Sequence, residues 1–156
     1  MKTLVVFYSR TGCTKKVSEK IASILNADLE ELGDKQNRSG AIGYLKSGRD
    51  AMKKKMAQIF PLKYNPADYD LVIIGTPTWA FNMACAIRTY LVEQKGKMKK
   101  IAFFATHGSD GAERAIKNMA DLSGETPIAA LTITSREAMK EDYNNKLEFF
   151  ISELNK

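Results

Sequence analysis

The sequence predicts an α/β fold of three layers, with a parallel β-sheet between two layers of helices. Apolar, β-rich runs alternate along the chain with segments whose apolar residues recur at helical spacing. Right-handed crossovers between parallel strands place helices on both faces of the sheet. The 156 residues, of which 44% are hydrophobic, suit one domain, which we expect to span residues 1–156.

Five strands are predicted, in the order in which the apolar runs occur. They cover residues 3–8, a weaker run at 28–32, 71–74 with Gly75 as the stop, 101–105 and 128–133. Helical spacing of apolar residues is found from Val17 to Leu25, Met83 to Leu91, Ala112 to Ala120 and Met139 to Leu154. The spacing of Thr134 and Glu137 is that of a capping box, so the last helix is expected to begin there.

The segment 33–69 lies between the second and third predicted strands. A helix is predicted in its middle, with one apolar stripe formed by Ile42, Leu45, Met52, Met56 and Ile59. The basic residues Lys46, Arg49, Lys53 and Lys54 lie largely off that stripe. Two interpretations stay open: a crossover helix with a solvated basic face, or a surface that docks a partner or attracts phosphate.

Composition narrows the class of protein. The formal net charge is +6, but the basic residues form short scattered runs, so no nucleic-acid partner is expected. Two cysteines without C-x-x-C spacing and a single histidine predict no metal site and a reduced, cytoplasmic protein. No apolar run approaches the roughly 20 residues that a membrane span requires.

Three predicted loops are candidates for ligand binding. In open parallel sheets, ligands bind beyond the carboxyl ends of the strands, near a switch in strand order. The loops after strands one, three and four therefore matter most. Their candidate site residues are Ser9, Arg10, Thr11, Gly12, Cys13 and Thr14 in the first; Pro77, Thr78, Trp79, Ala80, Phe81 and Asn82 in the second; and Thr106, His107, Gly108, Ser109, Asp110 and Gly111 in the third.

The first loop has the composition of a phosphate-binding site. Gly12 permits an unusual backbone, its serine and two threonines supply hydroxyl donors, and the helix that follows offers unpaired N–H groups. The Walker loop and the G-x-G-x-x-G dinucleotide motif are both absent. A low-molecular-weight tyrosine phosphatase needs an arginine six positions after its cysteine, but Glu19 stands there after Cys13. The candidate ligand that remains is a phosphate monoester held by hydroxyl groups and the backbone.

The hexapeptide from Ser9 to Thr14 resembles the phosphate loop of flavodoxins, [ST]-x-T-G-x-T, which holds the phosphate of FMN. The resemblance extends over essentially the whole chain. It implies a flavodoxin-like fold with a five-stranded parallel sheet of order 2-1-3-4-5. It also implies FMN as the cofactor, which itself carries the redox chemistry, so no catalytic side chain is expected.

The resemblance also suggests roles for the other two loops. The second would lie along the isoalloxazine ring, with Trp79 or Phe81 as an aromatic wall; the alternative is that either residue packs in the core or at a partner interface. The third would border the polar edge of the ring through its backbone. His107 is a hydrogen-bond donor at that edge, a proton donor, or an ordinary surface residue.

Two departures from the family pattern leave the function open. Many shuttling flavodoxins are acidic, whereas this chain is basic, which suggests a partner with an acidic surface or attraction of a phosphorylated nicotinamide. No glycine occurs from Thr76 to Lys95, so Ala80 or Asn82 must stand beside flavin N5. The length favours a flavodoxin-type electron carrier with a redox partner protein; the alternative is an NAD(P)H-dependent quinone or flavin reductase.

Overall fold

A central β-sheet with helices on both faces forms the protein in the computed structural model, which describes residues 1–156. The strands are β1 Thr3–Phe7, β2 Asp28–Glu31, β3 Leu71–Trp79, β4 Asn82–Met83, β5 Ile101–His107 and β6 Ala130–Thr134. The helices are α1 Cys13–Leu25, α2 Gly40–Met52, α3 Cys85–Glu93, α4 Ala112–Ser123, α5 Ser135–Lys140 and α6 Asn144–Leu154. No helix is long and apolar enough to cross a membrane.

The strand order confirms the predicted topology. Five parallel strands follow the order β2-β1-β3-β5-β6, and the two-residue strand β4 pairs antiparallel with the end of β3. With β4 set aside, this is the order 2-1-3-4-5. Phe7 pairs with Gly75, which pairs with Phe104, so the segments that follow β1, β3 and β5 meet at one edge of the sheet.

Alternation along the central strands builds one core on each face of the sheet. Leu4 and Val6 belong to the core that α3 covers, whereas Val5 belongs to the core that α1 and α6 cover. The apolar residues predicted for α3 are fully or almost fully buried, which confirms that helix. The sheet is therefore a rigid support for the segments at its carboxyl edge.

Gly75 does not end the third strand, as the sequence suggested, but lies in its interior. A Cβ at this position would lie 2.0 Å from Cζ of Phe104 on the neighbouring strand, so the glycine makes room for that ring. Strand β3 continues to Trp79, and β5 likewise continues to His107. Several residues predicted to lie in loops therefore lie on strands, namely Pro77, Thr78, Trp79, Thr106 and His107.

The prediction of a single final helix was also wrong, because the structure has two helices there. The capping box between Thr134 and Glu137 is present and begins α5, but Glu141 ends that helix in a left-handed conformation with φ of 56°. The chain then restarts as α6, which buries Leu147 and Phe150. Met139, predicted on the buried stripe, is exposed because α5 is too short to continue it.

Helix α2 forms where a helix was predicted, but its buried face is not the predicted one. Its buried side consists of small and polar residues: Gly43, Ser47, Asp50 and Ala51. The apolar stripe faces solvent instead, with Ile42, Leu45 and Met52 exposed by 83%, 70% and 65%. The predicted stripe also includes Met56 and Ile59, which lie beyond the end of the helix. The cause is a buried ionic cluster beneath the helix.

Candidate ligand-binding site

The three predicted segments surround one cavity of about 200 Å³ at the carboxyl edge of the sheet. We call it the phosphate cavity. It is lined by Arg10, Thr11, Cys13, Thr14, Tyr44, Pro77, Thr78, Trp79, Thr106, His107, Gly108 and Ser135. Ten of these were candidates from the sequence, while Tyr44 and Ser135 were not. The position beyond β1 and β3 is where the strand order changes direction, as the general rule for such sheets requires.

The first loop folds around the hydroxyl of Ser9. Its Oγ accepts hydrogen bonds from the backbone N–H groups of Gly12, at 3.1 Å, and Lys15, at 3.3 Å. Gly12 has φ of 101°, in the left-handed region that favours glycine. The first turn of α1 carries no acidic residue, so the positive end of the helix is not compensated by a carboxylate. This arrangement is suited to an anion.

A buried contact joins the first segment to β5. The hydroxyl oxygens of Thr14 and Thr106 lie 2.8 Å apart, and both side chains line the phosphate cavity. Each hydroxyl has one proton and two lone pairs, so this pair retains capacity for a further hydrogen bond. The contact fixes the start of α1 against the sheet.

Two buried polar atoms in the lining residues have no hydrogen-bond partner in the protein. They are Oγ1 of Thr78 and Nδ1 of His107. Buried polar atoms are nearly always hydrogen-bonded, so each atom is an unmet hydrogen-bonding requirement in a residue that lines the cavity. Ser135 lies close by, donating from its Oγ to the carbonyl oxygen of His107 at 3.2 Å.

Trp79 lines the cavity, but most of its surface is packed within the protein. It is only 7% exposed. Its ring meets the ring of Tyr8 edge-to-face at a centroid distance of 5.4 Å, and the guanidinium carbon of Arg38 lies 5.3 Å from its centroid. Burial, together with the nearby charge of Asp34, raises the pKa of Tyr8 to about 12, so its hydroxyl stays protonated at neutral pH.

A strained two-residue turn joins β3 to β4. Ala80 and Phe81 have φ of 47° and 63°, a conformation that normally calls for glycine or asparagine. Phe81 packs against Gly111, where a Cβ would lie 2.5 Å from its Cδ1. The sequence predicted that a residue other than glycine would occupy this turn; the structure shows that Ala80, not Asn82, has positive φ.

Several candidate residues do not line the phosphate cavity. Asn82 is buried behind the turn, where its Oδ1 accepts from Nη2 of Arg88 at 3.0 Å. Ser109 and Asp110 are exposed on the segment after β5. Ser9, Gly12 and Gly111 shape the backbone around the cavity through the contacts given above.

A buried ionic cluster that was not predicted from the sequence lies beneath α2. Arg38, with a side chain 3% exposed, donates from Nε to Asp34 at 2.6 Å and from Nη1 to Asp50 at 3.2 Å. Burial opposes ionisation of Asp50, but the hydrogen bond from Arg38 and the charge of Lys55 outweigh it and lower its pKa. The four-residue separation of Asp34 and Arg38 was the available signal, yet it does not reveal burial.

A second cavity, of about 380 Å³, adjoins the first and is here called the α2 groove. It is lined by Tyr44, Leu45, Gly48, Arg49, Met52, Thr78, Trp79 and Ala80. Tyr44, Thr78 and Trp79 border both cavities. Arg10 stands at the junction, with its guanidinium carbon 5.4 Å from the ring centroid of Tyr44. The two cavities together are suited to an elongated ligand with a polar end and an apolar end.

Fold and site together define a doubly wound α/β protein with an anion-suited loop beyond its first strand. A family model described as flavodoxin matches residues 2–148, and the chain belongs to the flavodoxin family. A search of curated protein sequences gives no significant match.

Solved structures give the same fold. A flavoprotein from Lactobacillus acidophilus NCFM, solved in complex with FMN, is 26% identical over 89% of this chain and 97% of its own, with a TM-score of 0.67. Flavodoxin 1 from Bacillus cereus is 17% identical over 99% and 98%, with a TM-score of 0.59. A flavodoxin, WrbA-like protein from Agrobacterium tumefaciens is 15% identical over 97% and 98%, with a TM-score of 0.57.

Proposed function

We propose that this chain is an FMN-binding redox protein of the flavodoxin type, formed by a single domain over residues 1–156. The observation that carries the proposal is the convergence of the first loop, β3 and β5 on one cavity, with an anion-suited loop and two orphaned polar atoms. The flavoprotein from Lactobacillus acidophilus, whose structure contains FMN, supports the choice of ligand. When bound, FMN supplies electron transfer and the protein supplies binding and electrostatics.

The residues of the site fit the parts of FMN. The backbone N–H groups at the start of α1 and the hydroxyls of Thr11 and Thr14 would hold the phosphate. Thr78 and His107 line the cavity and carry unpartnered polar atoms, which polar groups of FMN would satisfy. A positive charge is supplied by Arg10, which is half-buried beside the loop. No side chain is assigned a proton-transfer step.

For the physiological role, we favour an electron carrier that docks a redox partner protein. Arg49 lines the apolar α2 groove, Arg10 lines the adjoining phosphate cavity, and Lys46 is exposed on the same helix as Arg49. Charge complementarity therefore favours a partner with an acidic surface. Cys13 and Cys85 are both free thiols, in keeping with a reducing, cytoplasmic setting.

The strained turn at Ala80 favours a second candidate, an NAD(P)H-dependent quinone or flavin reductase. A turn that already holds alanine at positive φ lacks the conformational freedom that glycine gives a carrier at this place. The fold is shared with a WrbA-like protein as well as with a flavodoxin, so it does not separate the two roles.

A redox titration of the FMN-loaded protein separates the candidates. For the carrier, we expect two resolved one-electron reduction steps and slow oxidation of NADPH or NADH when menadione is the acceptor. A single two-electron step with rapid NAD(P)H oxidation would show that the reductase is the correct assignment. Free FMN under the same conditions is the control, since it corrects for turnover that requires no protein.

A further inference from the structure

We infer that helix α2 forms one wall of the flavin ring site, with Tyr44 as its aromatic surface and Gly48 as its floor. The inference rests on the proposed function, because it assigns the ring of FMN to the α2 groove. Neither residue was a candidate from the sequence, which predicted for this helix either a crossover role with a solvated basic face or a surface that docks a partner or attracts phosphate.

The phosphate cavity and the α2 groove adjoin each other. The phosphate cavity is lined by the anion-suited loop and by the residues with the orphaned polar atoms, and it shares Tyr44, Thr78 and Trp79 with the larger α2 groove. Leu45, Met52 and Ala80 give the groove an apolar lining, which suits a flat ring system. A ligand whose phosphate lies by α1 therefore places its apolar end along α2.

Tyr44 offers more exposed aromatic surface to a ligand than Trp79 does. Trp79 is 7% exposed and is already packed against Tyr8 and Arg38. Tyr44 borders both cavities and is 62% exposed. An exposed aromatic side chain at the junction of two cavities is available to stack on a ring, whereas a packed one is not.

Helix α2 contains a glycine, Gly48, that its packing does not require. Gly48 lies inside α2, where glycine is less favourable than alanine. A Cβ on Gly48 would meet no atom within 4 Å, whereas a Cβ on Gly43 of the same helix would lie 2.2 Å from the backbone of Arg38. Packing therefore explains Gly43 and leaves Gly48 unexplained. A missing side chain at Gly48 lets a flat ring approach the helix backbone.

The orientation of α2 agrees with this assignment. Its polar side is held inward by the contact between Arg38 and Asp50, so its apolar side is turned toward the groove and solvent. The side chain of Arg49, 53% exposed, stands in the lining of the groove and lies 3.6 Å from Asp50. The buried cluster thus positions a surface that no other part of the protein covers.

The test compares Gly48→Ala, Tyr44→Ala and Tyr44→Phe with Ile42→Ala, an exposed control on the same helix that does not line the groove. We expect Gly48→Ala to stabilise the FMN-free protein against urea and yet to weaken both FMN and riboflavin about three- to tenfold. Riboflavin is informative because it has the ring without the phosphate. Tyr44→Ala should weaken both ligands to a similar extent and reduce the quenching of flavin fluorescence, while Tyr44→Phe and Ile42→Ala should not.

Three outcomes would overturn the inference. Unchanged FMN and riboflavin affinity in both Gly48→Ala and Tyr44→Ala would show that the ring lies elsewhere and would leave the proposed function standing. Unchanged affinity together with a changed rate of oxidation of the reduced protein by menadione would assign the groove to the electron acceptor instead. Failure of the wild-type protein to bind FMN would remove the proposed function and this inference with it.

Discussion

Replacing both Thr11 and Thr14 by alanine is expected to weaken FMN binding about 100- to 10,000-fold. Hydrogen bonds to a charged group contribute about 1.5–3 kcal/mol each, and this double variant removes two hydroxyl donors from the phosphate. Riboflavin, which has no phosphate, should bind the variant and the wild type nearly equally. Fluorescence titrations of the two flavins with FMN-free protein give the four dissociation constants.

A matched control is available in the same chain. Thr89 is a buried threonine on α3 that donates to the carbonyl oxygen of Ala57 at 2.7 Å, and Thr126 is exposed. The pair Thr89→Ala and Thr126→Ala removes one buried and one exposed hydroxyl away from the cavity, so FMN affinity should not change. If Thr11→Ala with Thr14→Ala binds FMN as tightly as the wild type, the phosphate does not lie at this loop.

Arg38→Met is expected to lower the free energy of unfolding by about 3–5 kcal/mol, because it removes the buried guanidinium that lies between two buried carboxylates. The side chains of Asp34 and Asp50 are 2% and 4% exposed, so water does not replace the guanidinium. Urea unfolding of the FMN-free protein measures the loss. Arg114→Met, at an exposed position on α4 with no ion pair, should change stability by less than about 0.5 kcal/mol.

The pH dependence separates lost charge pairing from lost packing. In the wild type the pKa of Asp50 is lowered, so its contribution to stability is present above the ordinary carboxyl pKa and is lost as pH falls through the lowered one. In Arg38→Met, Asp50 loses the hydrogen bond that lowers its pKa while burial still opposes its ionisation, so it takes up a proton at a higher pH than in the wild type and the cost of its charge is reduced. The difference in stability between the two proteins should therefore shrink from pH 7 to pH 4. A difference that stays constant would mean that Arg38 acts through packing alone.

The sequence was sufficient where local signals and the global fold agree. Alternating apolar runs predicted a parallel sheet covered on both faces, while the strand order followed from the resemblance to flavodoxins. The Ser9 to Thr14 pattern indicated the anion-suited loop because hydroxyls, a glycine and a helix start are adjacent in the chain. The capping box at Thr134 was found for the same reason: two residues three positions apart carry the whole signal.

The predictions were wrong where contacts between residues far apart in the sequence determine the structure. Gly75 has the local character of a strand end, but its partner Phe104 is 29 positions away and makes the missing side chain a packing requirement. The apolar stripe of α2 has the periodicity of a buried face, yet Arg38, Asp34 and Asp50 form a buried cluster that turns the other face inward. Periodicity predicts the helix itself and not which of two faces the tertiary contacts bury.

The relation between α2 and the phosphate cavity was beyond the sequence for the same reason. Tyr44 is 33 positions from Pro77, the nearest strand residue that lines the cavity, and no motif connects them. Only the packing of α2 beside the end of β3 brings Tyr44 to the junction of the two cavities.

The central claim is that the cavity at the carboxyl edge binds FMN through its phosphate. The most direct measurement is a fluorescence titration of FMN and of riboflavin with the wild-type protein. We predict saturable quenching of FMN at one equivalent and a dissociation constant for riboflavin at least about 100-fold higher, since the phosphate contacts are absent. Equal affinity for the two flavins, or no binding of FMN, would contradict the claim.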